Sequence, residues 1–387
     1  MKSITIIGAG QVGLTLAALL SKNNFKVAIV ESKQPDFNFN EPTARVSTIH
    51  LISQKILAHV GAWENIAIKT PVAKMHIWDH TQKAVIDFDA HDMHCDQMAW
   101  VIENRAIIHV LQKHLNQDEN VTFYCPRTPK KYDRTTKELI LDNDEKIKSD
   151  LIVGADGAHS WVRAQMNIDV QEKSYDQKAI TAVIESEKPH ENTAIQKFLT
   201  TGPAALLPLS NPYHTALVWS ADDAISDALM QKSDEDFSHA LTDALDHRLG
   251  KLKTISARAQ FPLTMRHATE YATDHFALVG DAAHTIHPLA GLGVNLGLLD
   301  AACLTDTLIN KKTLRGYTRS AKSNNATLIA AMRVLQTTFA FDQAILNTAR
   351  SVGINLLNKC TPVKKYLMQL AMGQLNDLPG FLQENAG

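Results

Sequence analysis

Residues 276–297, FALVGDAAHTIHPLAGLGVNLG, combine residue types that could handle electrons. An apolar run, Phe276 to Val279, predicts a buried strand that stops at Gly280 and Asp281, and a glycine-rich loop then enters a helical pattern near Gly293. A carboxylate at the end of a buried strand can accept hydrogen bonds from the hydroxyls of a sugar-like chain, so Asp281 is the expected anchor for one. Glycines at 291 and 293 let backbone N–H groups approach a flat ring closely, and the helix N-terminus behind them presents partial positive charge to a ring that turns negative on reduction. The N–H groups of Gly293 and Val294 and the amide of Asn295 would address the polar edge of that ring, while Pro288, Leu289, Ala290 and Leu292 would form a dry wall over its face. Taken alone, the segment also fits an ordinary strand, turn and helix whose glycines serve packing.

The opposite end of the chain supplies a partner. Ile4 to Ile7 predict a short strand that runs into Gly8, Gly10 and Gly13, and an Ala/Leu-rich helix follows to about Lys22. This is GxGxxG in the strand, turn and helix context that a dinucleotide pyrophosphate requires. A second strand, Lys26 to Val30, ends at Glu31, where an acid can hold ribose hydroxyls. The fingerprint does not separate FAD from NAD. A third element, Leu151 to Val153, runs into Gly154, Ala155, Asp156 and Gly157, with Ser160 and Arg163 on the helix that follows. A lone Asp-Gly is a common turn, and its weight here comes from the order GxGxxG, GADGxxSxxR, GDAAHxxHPLAG. With only one GxGxxG, a nicotinamide cofactor has no second Rossmann unit to occupy and would visit transiently.

The three motifs resemble those of the single-component FAD-dependent aromatic hydroxylases of the p-hydroxybenzoate hydroxylase type, and among them the hydroxylases of ubiquinone biosynthesis. The closer resemblance rests on ARVSTIHLISQKILAHVGAW from Ala44, VIENR at 101–105, GPAALLPL from Gly202, FPL at 261–263, the HPLAGxGVNLG run, and, in the tail, YTRSAKSNN, FAFDQAILNTARSVGINLL and AMG at 371–373. It covers nearly the whole length. It implies tight, non-covalent FAD, NAD(P)H as a transient co-substrate, and O2 that adds to the reduced flavin at C4a and reaches an electron-rich ring as a hydroxyl. The protein must then keep water from the oxygenated flavin. The substrate implied is a polyprenylated phenol or quinol, and Arg45 and Arg105 are implied as pyrophosphate or flavin contacts. Two positions depart from the family pattern: Leu292 stands where Gln is usual between the glycines, and Thr43 where an acid usually stands two before Arg45. No residue is evident as a general base for a phenol.

A single FAD must therefore join segments more than two hundred residues apart, which predicts a discontinuous α/β architecture. A Rossmann-like FAD-binding domain would take residues 1–70, 95–170 and 265–310. A mainly antiparallel β-sheet substrate domain would take 71–94 and 171–264, with alternating strands such as Ala73 to Trp78, Ile180 to Glu185, Ala204 to Pro208 and Thr215 to Ser220. Residues 311–387 read as C-terminal helices, with Leu328, Met332, Leu335 and Phe339 at helical spacing. Within the sheet, PAALLPL at 203–209 would line a tunnel for a prenyl tail or simply fill a core strand. Leu356, Leu357, Tyr366 and Leu367 beside Lys359, Lys364 and Lys365 fit a membrane-surface patch or the solvated face of a packed helix.

Composition agrees. At 387 residues roughly two domains are expected, and 45% hydrophobic with 21% charged residues is ordinary for a packed protein. A net charge of −2 gives no electrostatic case for nucleic acid. Without a run of ~18 apolar residues or a leader ahead of the first strand, the expected location is the cytoplasm, with peripheral contact at the inner membrane face. Contact with other quinone-biosynthesis proteins or with further copies of the chain is compatible with that location. Cys95, Cys125, Cys303 and Cys360 form neither CxxC nor a ligand cluster and are expected as buried thiols; His284 and His287 lack a third ligand, so no metal is expected. A flavin halogenase would carry WxWxIP, and Trp63, Trp78, Trp100, Trp161 and Trp219 are never two apart. A hydroxylase of a small soluble phenol and a non-catalytic flavin-binding assembly subunit are the alternatives.

Overall fold

The computed structural model describes residues 3–285, 291–324, 326, 368–369 and 378–383. The expectations for Pro288, Leu289, Ala290, His287, Cys360 and the apolar and basic positions from Leu328 to Leu367 lie outside the described residues, as does the side chain of Leu292.

The first strand, Ser3–Ile7, is almost entirely β-branched, and Ile4, Ile6 and Ile7 are buried. It lies at the centre of a five-stranded parallel sheet in the order Phe276–Leu278, Leu151–Gly154, Ser3–Ile7, Lys26–Val30, Val121–Tyr124. The chain first builds outward on one side of Ser3–Ile7 and later returns to the other. Such a reversal opens a crevice at the carboxyl ends of the strands, where ligands of α/β sheets bind. Register sets what meets there: Ile7 pairs with both Val30 and Gly154, and Gly154 pairs with Leu278. Gly8, Glu31, Ala155 and Val279 therefore leave the sheet at one level. The helix Gln11–Lys22, with Leu14, Leu16, Leu19 and Leu20 fully buried, packs against the helices Asn104–Leu115 and Leu292–Ile309.

A nine-stranded sheet forms the second layer. Its strands follow the order His284–Thr285, Ala259–Ala268, Val170–Ser186, His214–Asp222, Gly202–Pro208, Thr193–Leu199, Lys74–Asp79, Val85–Asp89, and Leu252–Thr254 also pairs with Val170–Ser186. Every pairing is antiparallel except Thr193–Leu199 with Lys74–Asp79. Trp78, Leu206, Trp219, Phe237 and Leu241 fill the core between this sheet and the helices Asp223–Gln231 and Asp234–Ala244. The sheet runs past residue 264: Ala259–Ala268 continues it, and His284–Thr285 pairs with Arg266 and His267. That last strand follows Gly280 and Asp281 after two residues, so the turn is fastened to both layers.

Two sequence expectations change here. Strand alternation splits PAALLPL: Ala204 and Leu206 enter the core under the helices, while Leu207 and Leu209 pack on the other side with Val72, Ala99, Val101 and Ala194. At most half of the run can face a ligand. Of the described cysteines only Cys303 is buried; Cys95 and Cys125 are half-buried, and none of the three is in a disulfide.

Candidate functional site

The fingerprint glycines divide their work by what lies beside them. A Cβ on Gly8, whose φ is +105°, would stand 2.3 Å from the Ala155 carbonyl oxygen, and one on Gly13 would stand 2.1 Å from that of Gly8. These two glycines let the first loop, its helix and the loop after Gly154 touch. Gly10 differs: a Cβ there meets none of the described residues within 4 Å. The helix Gln11–Lys22 begins at Gly10 without a side-chain cap and without an acid in its first turn. N–H groups left without a cap, facing open space, suit a phosphate. Glu31 shapes this loop from the end of its strand, accepting the Ala9 N–H at 2.8 Å and, on its other oxygen, the Lys33 N–H at 3.0 Å.

Gly280 and Asp281 begin a one-turn 3-10 segment, Gly280–Ala282, after the strand Phe276–Leu278. A Cβ on Gly280 would lie 3.3 Å from Cγ2 of Val12, and one on Gly297, in the helix Leu292–Ile309, would lie 2.6 Å from the same atom and 3.1 Å from Cα of Gly280. Val12 sits inside GxGxxG. Two motifs distant in sequence thus close on one residue, as one dinucleotide cofactor spanning both requires. Asp281 is the exposed residue of a turn in which Gly280, Ala282, Ala283 and His284 are buried. Its carboxylate opens outward from a recess; burial by the protein behind it raises its pKa, and His284 pulls the value back.

The helix Leu292–Ile309 repeats the pattern of the first. Among the described residues it has no side-chain cap and no acid in its first turn, and a Cβ on Gly293 would meet none of them within 4 Å. Gly291 carries the close packing instead, since a Cβ there would lie 2.8 Å from Cβ of Thr48. Val294 is half-buried against the core beside it. Asn295 corrects an expectation: its amide is buried and spent on the protein. It donates to the carbonyls of Thr48 at 2.7 Å and Gly291 at 2.8 Å and accepts the His50 N–H at 3.0 Å. It fixes the loop to the strand Val46–His50 and offers nothing to a ring.

The remaining motif residues brace this arrangement. Asp156 accepts the Val162 N–H at 3.2 Å at the start of the helix Trp161–Met166; burial raises its pKa, and hydrogen bonds from Ser160 and the neighbouring backbone pull it back. A Cβ on Gly157 would meet none of the described residues within 4 Å. Arg163 donates to the carbonyls of Ala282 at 2.9 Å and Ala158 at 2.7 Å, tying the second motif to the third. Arg45 is exposed, and its guanidinium has no partner among the described residues; the unusual Thr43 accepts its backbone N–H at 3.1 Å. Arg105 is committed to protein: Nε to Glu103 at 2.7 Å, Nη1 to the Asn38 carbonyl, Nη2 to that of Glu41 at 2.6 Å, with the Phe39 ring 5.1 Å away. It latches the loop around Phe39.

Sequence reading missed two polar residues at this junction. Asn104 accepts from Gln11 at 3.2 Å and Ser47 at 2.7 Å, joining the first helix to the strand Val46–His50. Asp300 accepts from His284 at 2.6 Å, with both side chains buried. Its one sequence signal was an acid standing alone in the apolar helix LGLLDAACL. Burial lowers the pKa of His284, but the charge and hydrogen bond of Asp300, with Asp281 adding, outweigh it and raise the value above the ordinary 6.5. The folded state therefore holds this proton more tightly than the unfolded chain does. The stability difference between the wild type and His284→Gln, followed by denaturant unfolding, should be constant just below the ordinary value and shrink as pH rises through the raised one. A difference that grew toward alkaline pH would refute this assignment. Among the described residues no His, Cys, Asp and Glu group could hold a metal ion.

The fold and the three joined motifs define an FAD-dependent monooxygenase. The chain belongs to the FAD binding domain family, whose match spans residues 1–324. It is 33% identical to the mitochondrial ubiquinone biosynthesis monooxygenase COQ6 of Drosophila melanogaster over 96% of this chain and 90% of that one. It is 30% identical to the 3-demethoxyubiquinol 3-hydroxylase of Escherichia coli K12 over 96% and 98% of the two chains. Among solved structures, p-nitrophenol 4-monooxygenase PnpA from Pseudomonas putida DLL-E4 superposes with a TM-score of 0.78, covering 98% of this chain and 100% of that one at 15% identity, a likeness of fold alone.

Proposed function

We propose that this monooxygenase hydroxylates the aromatic ring of a polyprenylated phenol or quinol in ubiquinone biosynthesis, using NAD(P)H and O2. The observation that carries the reading is the junction at Val12, where Gly280 and Gly297 close on the fingerprint turn; similarity from end to end with ubiquinone hydroxylases supports the substrate class. Bound FAD supplies the electron transfer from NAD(P)H to oxygen. The chain supplies placement. The uncapped helix at Gly10 and the unpaired guanidinium of Arg45 take the pyrophosphate, Glu31 the ribose, Asp281 the ribityl chain, and the N–H groups of Gly293 and Val294 the polar edge of the ring. Asp156 and Gly157 lie in the loop packed on Gly8 and complete the wall of the same crevice.

A prenylated ring resides in a bilayer, and no helix among the described residues is long and apolar enough to cross one. Contact with the substrate then requires a peripheral approach to the membrane or delivery by another quinone-biosynthesis protein. Deleting the gene in a quinone-making host should cause a prenylated ring lacking one hydroxyl to accumulate, identified by mass. An unchanged quinone profile would reject the substrate assignment and favour a small soluble phenol.

A further inference from the structure

We infer that His284 and Asp300 form a buried positioning pair that holds the Gly280–Asp281 turn, and with it the Asp281 carboxylate, in the orientation that grips the flavin side chain. The inference rests on the reading of Asp281 as the ribityl anchor. One carboxylate oxygen of Asp300 accepts two hydrogen bonds, from the Gly280 N–H at 3.0 Å and from Nε2 of His284 at 2.6 Å. Those donors flank Asp281 in sequence, so one acceptor on the helix Leu292–Ile309 pins the turn on both sides of the residue that faces the cleft. Gly297 makes this possible. It lies three residues before Asp300, on the same helix face, and its lack of a side chain brings the helix onto Gly280.

Gly280 is also the one member of the turn in a left-handed conformation, with φ +60°. Its N–H must be held in place for the next carboxylate to point outward. His284 is fixed from the other side. Its backbone pairs with His267, and its ring stacks on Tyr271 at 5.8 Å, whose hydroxyl meets His267 Nε2 at 3.0 Å. Lys322 lies 5.6 Å from the Tyr271 ring, and the Tyr317 hydroxyl donates to the Leu278 carbonyl at 2.6 Å. Nδ1 of His284 is buried with no partner among the described residues, so Asp300 is the bond that orients the ring. The pair thereby links the FAD-side turn, the helix Leu292–Ile309 and the edge of the antiparallel sheet.

The test is a double-mutant cycle on FAD affinity, measured by titrating apoprotein with FAD and following the change in flavin fluorescence. Asp300→Asn should weaken FAD about tenfold in the otherwise native chain and less than about twofold when Asp281 is already Ala, because a positioning residue has nothing left to position. His284→Ala should follow the same pattern. His284→Gln, whose amide can still donate to Asp300, should recover most of the affinity, and this series serves alone if Asp300→Asn does not melt cooperatively. Equal losses in both backgrounds, or no loss, would overturn the inference. If Asp281→Ala itself leaves FAD affinity unchanged, the anchor reading fails and takes the pair with it. If Asp281→Ala weakens binding while the Asp300 and His284 losses add to it, only the pair fails.

Discussion

Asp281→Ala should purify as a soluble, colourless protein. Asp281 is exposed and makes no side-chain hydrogen bond among the described residues, so its removal costs the fold little. It stands at the carboxyl end of the sheet, directly after the glycine that touches Val12 of the fingerprint turn. A hydrogen bond to a charged group is worth about 1.5–3 kcal/mol, and losing one would weaken FAD by roughly ten- to a hundredfold. Purification by dilution and washing then strips the flavin. The ratio of absorbance at the flavin band to that of protein reports occupancy, and reconstitution with excess FAD reports affinity. Full flavin occupancy in this variant would show that the anchor lies elsewhere. Asp281→Asn should fall between the two, since the amide oxygen still accepts a hydrogen bond without the charge.

The parts of the site legible in the sequence are those where glycine is forced by contact and where a strand must end in a polar residue. The four strands Ser3–Ile7, Lys26–Val30, Leu151–Gly154 and Phe276–Leu278 announce themselves as short apolar runs stopped by Gly or an acid, because a parallel sheet covered on both faces needs continuous apolar strands. Gly8 and Gly13 are visible because backbone occupies the space a Cβ would take. What stayed hidden was the pairing of polar groups across distance. Nothing local to Asn295 reveals that its amide will meet Thr48 and His50, and nothing local to Asp300 reveals His284. The family resemblance implied Arg105 as a pyrophosphate or flavin contact, yet its guanidinium donates to the carbonyls of Asn38 and Glu41 and to the carboxylate of Glu103. The direction of PAALLPL was equally hidden, since an apolar run gives no sign of which alternate residues face helices and which face the other layer. The strand Val170–Ser186 begins with the polar stretch VQEKSYDQK, where the register with Ala259–Ala268 shifts between Ser174 and Lys178, so no clean alternation marks its first half.

The fingerprint glycines allow folding and cofactor binding to be separated by single methyl groups. Gly8→Ala would drive a Cβ to 2.3 Å from a backbone carbonyl oxygen at a φ of +105°, and neither the carbonyl of Ala155 nor the strand behind it can swing aside. Overpacking and backbone strain together should cost about 2–5 kcal/mol, so the apoprotein itself should melt several degrees lower. Gly10→Ala carries a methyl into open space with ordinary backbone angles, φ −75° and ψ −178°, and its apoprotein stability should stay within about 1 kcal/mol of the wild type. Its effect should fall on FAD, because the methyl would occupy the approach to the first turn of the helix Gln11–Lys22, where the proposed pyrophosphate would meet N–H groups without a side-chain cap. Thermal melts of both apoproteins, set beside FAD titrations, make the comparison. A stable Gly10→Ala protein with weakened FAD beside a destabilised Gly8→Ala protein would place the pyrophosphate at Gly10. Unweakened FAD binding by Gly10→Ala would move it away from that helix and remove the physical basis for reading the two uncapped N-termini as the two ends of one cofactor site.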